Sequence, residues 1–100
     1  DDIHAGRRRE IEQRGGHAFK THQEVVVALS GSFDVVVKDA QGNERRYHLN
    51  RSYNGLYLPA LTWRHMENFS TNALSLHLSS DDYTETDYIR DYGQYCQLSK

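Results

Sequence analysis

Cysteine, proline, methionine and tryptophan each occur only once among the 100 residues. The single cysteine, Cys96, rules out an internal disulfide and fits a reducing compartment. No apolar run is long enough to cross a bilayer as a helix, and no stretch reads as a secretory leader. A charge excess of either sign is also missing: 12 Lys and Arg stand against 14 Asp and Glu, a net charge of −2. That balance argues against a nucleic-acid protein, and Arg7-Arg8-Arg9 is read as a solvated loop or a phosphate contact. A chain of this length makes one domain that buries about 60–65% of its unfolded surface. The expectation is a small, soluble, cytoplasmic domain, and the opening Asp1-Asp2-Ile3-His4 suggests a fragment.

What is present is β pattern. Val25–Leu29, Phe33–Val37, Glu44–Leu49, Gly55–Leu58, Arg64–Phe69 and Leu74–Ser79 are short segments at roughly ten-residue spacing, as in a sandwich or barrel. Ser30-Gly31-Ser32, Asp39 to Asn43, Asn50 to Asn54 and Ser70 to Asn72 read as the turns between them. In the last strand Leu74, Leu76 and Leu78 alternate with Ser75, His77 and Ser79, which predicts one buried face. The division expected is an N-terminal loop or partial segment at 1–16, a β-barrel at 17–80 and an acidic, aromatic tail at 81–100. That tail is expected to leave the barrel as a loop and a short helical turn. The fold class is all-β, a small antiparallel barrel or jelly roll.

The stretch with most chemistry is Arg14-Gly15-Gly16-His17-Ala18-Phe19-Lys20, at the mouth of the first apolar run. Binding groups at the rim of a β scaffold are a common way to build a site. His17 and Phe19 are two apart, so an extended chain points them the same way. His17-x-Phe19-x4-Glu24-x6-Gly31 resembles the first cupin motif, in which two histidines and a glutamate would hold a metal. Phe19 stands where the second histidine would be. A metal site needs three or four converging ligands, and it would have to be assembled from His17, His22, Glu24 and His65. Metal-free chemistry, with no cofactor, is the favoured expectation.

Arg14 to Lys20, Ser30-Gly31-Ser32-Phe33-Asp34-Val35, Gly55-Leu56-Tyr57-Leu58-Pro59, Trp63-Arg64, Asn68-Phe69-Ser70 and Tyr83-x4-Asp87-Tyr88-Ile89-Arg90-Asp91-Tyr92 together resemble the cupin-fold sugar 3,4-ketoisomerases of the WxcM-like family. The resemblance runs from residue 14 to 92 with little need for gaps. It implies a metal-independent isomerase that moves the keto group of dTDP-4-keto-6-deoxyglucose from C4 to C3, in deoxyamino-sugar synthesis for surface glycans. It implies that His17 is the catalytic base and that the protein is a homodimer. It also implies that the family begins earlier, with Asp2 to Gly6 as a turn after a missing aromatic segment.

The residues support such chemistry on their own terms. Moving a carbonyl to the next carbon removes one carbon-bound proton and delivers another, and one imidazole can do both. Arg64 and Arg14 are the candidate cations for an enediolate oxygen. Arg14, Lys20 and Arg51 are candidates for the substrate diphosphate, and Tyr57 for a ring contact. Arg64 and His65 are adjacent on a strand, so only one faces the cavity, and Arg64 is preferred. Its competing reading is a structural ion pair with Glu67 or the acidic tail. His22, His48 and His77 are read as surface or barrel-wall residues. The alternative function is a cupin module that binds a nucleotide sugar without turning it over, and a metal-dependent oxygenase stands third.

Overall fold

The computed structural model describes residues 2–6, 16–80 and 85–99. Among the described residues nine strands follow one another: β1 (Asp2–Gly6), β2 (Ala18–Phe19), β3 (Glu24–Ser30), β4 (Phe33–Lys38), β5 (Glu44–Leu49), β6 (Gly55–Leu58), β7 (Trp63–Glu67), β8 (Leu74–Ser79) and β9 (Tyr88–Ile89). A 3-10 turn, Glu85–Asp87, precedes β9, and a helix, α1 (Tyr92–Leu98), follows it. All pairing is antiparallel, in a four-stranded sheet β1-β8-β3-β6, a three-stranded sheet β5-β4-β7 and the short pair β2-β9.

The two larger sheets are amphipathic ribbons that bury their apolar faces against each other. Val26 and Ala28 from β3, Phe33 and Val35 from β4, Leu49, Leu58 and Met66 make one core cluster with Ala73. Turn chemistry sets the registers. The β4–β5 hairpin closes on Gly42 at φ 89°, a left-handed conformation open to glycine at little cost, while Asp39 accepts hydrogen bonds from the Gln41 and Asn43 backbone N–H groups. The fold is the expected all-β, cupin-like architecture.

Several local expectations change. Asp2–Gly6 is not a turn but an edge strand, paired with β8 from Asp2↔Ser79 to Gly6↔Ser75. Five residues carry too little period to announce a strand whose partner lies some seventy residues away. The strand expected at Arg64–Phe69 runs from Trp63 to Glu67 and stops at Asn68, which has φ 59°. On β8 the leucines are only half-buried, whereas Ser75 and His77 are almost fully covered. The strand faces the interior with its polar set, because buried partners there satisfy it.

The tail folds back. β9 pairs with β2, and Trp63, Ala18, Ile89 and Tyr95 form a second cluster flanked by Tyr92 and Cys96. Asp91 caps α1 by accepting from the Gly93 N–H at 3.0 Å. Tyr95 and Tyr92 anchor the helix by donating to the carbonyls of Leu61 and Asp39. Arg7–Gln13, read as helix or loop, lies outside the described residues, as do Arg14 and Gly15.

Candidate active site

β2 has only two residues, so neighbours on both sides must hold it. One is β9. The other is an isolated bridge in which the His17 N–H donates to the Arg64 carbonyl and the Arg64 N–H to the His17 carbonyl, both at 2.9 Å. Residues directly opposite across an antiparallel bridge project to the same side, so His17 and Arg64 share a face. Gly16 permits this approach. A Cβ there would lie 2.6 Å from Cε2 of Trp63 and 2.8 Å from the Arg64 carbonyl oxygen, closer than any side chain allows.

Arg64 is fully buried and is the hub of the site. Its Nη1 donates to Glu24 Oε1 at 3.0 Å and lies 3.5 Å from His17 Nε2, the outer limit of a hydrogen bond. Its Nε donates to the Thr62 carbonyl at 3.1 Å. The second oxygen of Glu24 is 3.4 Å from His77 Nδ1, and His77 Nε2 lies 3.1 Å from the Ser75 hydroxyl. β2, β3, β7 and β8 thus each contribute to one buried polar network, or flank it. Burial alone would push the Glu24 carboxyl up. The hydrogen bond and charge of His77, then the charges of Arg64 and His17, outweigh it and hold the carboxyl at about 2, against an ordinary 4.5.

Aromatic rings wall this network. Phe19 meets the His17 ring edge-on at 5.3 Å and lies 5.3 Å from the Arg64 guanidinium carbon. Tyr88 is tilted over His17 at 4.9 Å. The residue that replaces a histidine of the cupin motif therefore supplies an apolar, cation-facing surface. Behind it Asp87 accepts from the Thr21 N–H and hydroxyl and from the His22 N–H, fixing the segment after β2.

His17 and Arg64 are brought together. Lys20 is exposed just past β2. Arg51 sits in the exposed turn before β6, with its guanidinium on the Asn50 carbonyl. Tyr57 is registered with Val25 on the outer face of the sheet, opposite to the face of Glu24 and Leu58, and donates to Gln23. Neither Arg51 nor Tyr57 is part of the buried network. The alternative reading of Arg64 as a partner of Glu67 gives way: Glu67 pairs with Arg46 and His65 on the outer face of the three-stranded sheet. His65, on that outer face, and His22, beside Asp87, point to different surroundings. Among the described residues no three His, Cys, Asp or Glu side chains are grouped as a metal site.

Reading the sequence missed two members, Glu24 as the partner of Arg64 and His77 as the partner of Glu24. Glu24 had a signal, since a carboxylate opening an apolar strand needs a cation once buried. His77 was hidden by the leucine alternation, which pointed to the wrong face.

The antiparallel, all-β scaffold that carries this pair is cupin-like. The chain belongs to the WxcM-like, C-terminal family (FdtA), which matches residues 7–100. It is 40% identical over 85 residues to the TDP-4-oxo-6-deoxy-α-D-glucose-3,4-oxoisomerase of Aneurinibacillus thermoaerophilus, a match covering 84% of this chain and 60% of that protein. The match thus spans about three fifths of the length of that curated relative. Among solved structures it resembles QdtA, a sugar 3,4-ketoisomerase of Thermoanaerobacterium thermosaccharolyticum in complex with TDP. There the TM-score is 0.88 and the identity 33%, over 97% of this chain and 71% of that one. It also resembles the TDP-quinovose 3,4-ketoisomerase WlaRB of Campylobacter jejuni, with a TM-score of 0.85 and 34% identity over 97% and 75% of the two chains.

Proposed function

We propose that this protein is a sugar-nucleotide 3,4-ketoisomerase acting on dTDP-4-keto-6-deoxyglucose. The observation that carries the reading is the His17–Arg64 pair, an imidazole held beside a fixed guanidinium in a fold shared with 3,4-ketoisomerases. His17 removes the proton from C3 of the sugar, and the electrons move into an enediolate across C3 and C4. Arg64 stabilises the oxygen on which negative charge develops. The hydroxyl proton passes from the C3 oxygen to the C4 oxygen, and His17 returns its proton to C4. The carbonyl then stands at C3, and no electrons have been gained or lost overall, so the residues suffice without a cofactor. Arg14 and Lys20 flank His17 in the chain and supply charge for the diphosphate. The product would feed deoxyamino-sugar synthesis in the cytoplasm.

The test is incubation with dTDP-4-keto-6-deoxyglucose in deuterated water, followed by NMR of the sugar protons. A 3-keto product with deuterium at the exchanged carbon is expected. Binding of the sugar nucleotide with neither exchange nor product would overturn the proposal and select a binding module.

We also infer a homodimer. The outer face of β3 and β8 carries half-buried Val25, Leu74, Leu76 and Leu78 in register, with Leu29 and Tyr57 41% and 54% exposed beside them. β1 and β6 are sheet edges. An apolar face next to open edges is a surface that tends to be covered.

A further inference from the structure

A guanidinium beside a general base is a hazard as well as a help. Without compensation, a cation this close to an imidazole lowers its proton affinity by about one to three pH units, more so behind apolar walls such as Phe19. His17 would then be a poor base. The network supplies the compensation from another strand: Glu24 on β3 binds the same Nη1 that faces His17, and it is covered on its far side by His77 from β8.

We infer that Glu24 is a positioning residue for the isomerisation: its carboxylate locks the Arg64 guanidinium beside His17 and cancels its charge, so that His17 stays basic next to a buried cation. This rests on the role given to His17 above. Among the described residues, the charged and titratable groups facing His17 are Arg64 from β7, Glu24 from β3 and Tyr88 from β9. His77 from β8 stands beyond Glu24, and His22 stands beyond Phe19. Only Glu24 among them brings negative charge from a carboxylate to the Arg64 nitrogen. Its acidity, held at about 2, keeps that charge present through the working pH range.

The experiment follows the His17 imidazole by NMR through a pH titration, without substrate, in the parent, Glu24→Gln and Arg64→Gln. Glu24→Gln takes the negative charge away from Nη1, and the His17 midpoint is expected to fall by about one pH unit. Arg64→Gln leaves the carboxylate with His77 but without the guanidinium, and the midpoint is expected to rise by a similar amount. A carboxylate that merely supports the fold would give no shifts of opposite sign. Midpoints unchanged in folded variants, or shifted the same way in both, would overturn the inference. If Glu24→Gln does not fold, Glu24→Asp, whose shorter side chain draws the charge back from Nη1, is expected to lower the midpoint in the same direction, and an unchanged midpoint there would overturn the inference. Because no substrate is present, failure here is distinct from failure of the isomerase reading, which turnover of the parent tests.

Discussion

Replacing Glu24 by Gln has a second consequence, for stability against acid. The folded carboxyl titrates at about 2 rather than 4.5, a depressed value. Its contribution is therefore fully present above about pH 4.5 and is lost as pH falls toward 2. By linkage it is worth on the order of 3 kcal/mol at neutral pH. From pH 5 to pH 2 the melting temperature should fall in both proteins, because Asp34, Asp39, Glu67 and Asp87 are also held below their ordinary values, but less steeply in Glu24→Gln; parallel curves would show that Glu24 contributes nothing to the acid dependence. Arg64→Ala should leave a buried carboxylate without its cation and cost about 3–5 kcal/mol in stability. Its turnover per folded molecule should also drop, by about 10²–10³-fold. The parity of β7 made Arg64 legible from the sequence, since only one of Arg64 and His65 can face inward. Its partner was not legible, because the pairing of Glu24 with Arg64 depends on β3 and β7 facing one another across the interior.

At the level of elements, the proposed site rests on one of the two shortest strands among the described residues. β2 is two residues long and is held by Arg64, by β9 and by hydrogen bonds to Asp87. Asp87→Ala removes the acceptor of the Thr21 and His22 N–H groups and of the Thr21 hydroxyl, a loss of about 1–3 kcal/mol. The melting temperature should fall, and the His17 imidazole signals should broaden or move. A lower melt with unmoved His17 signals would mean that β9 does not fix β2. The strands from β3 to β8 were readable because each carries its own period and is bounded by a turn. β9 was not, since Tyr88 and Ile89 form a strand only against Ala18 and Phe19; of α1 only a short helical turn was expected, and its place is settled by packing on Trp63. The interior polarity of β8 escaped for the same reason: His77 is satisfied inside by Glu24 on β3 and by the Ser75 hydroxyl beside it.

On the scale of the whole molecule, the apolar outer face of β3 and β8 and the isomerase reading make separate predictions. Sedimentation at micromolar concentration should give a dimer mass, and Leu76→Lys, placed on that face, should shift it toward monomer without unfolding the chain. A parental monomer would leave the face without the partner assigned to it. Turnover is the central claim, and it depends on one imidazole. His17→Asn preserves size and one hydrogen bond while removing the proton acceptor. The decisive measurement is the rate of sugar-proton exchange and 3-keto product formation by His17→Asn, set beside its thermal melt. The account predicts a parental melt and a rate lower by about 10²–10⁴-fold. A variant that melts like the parent and isomerises at the parental rate would contradict it.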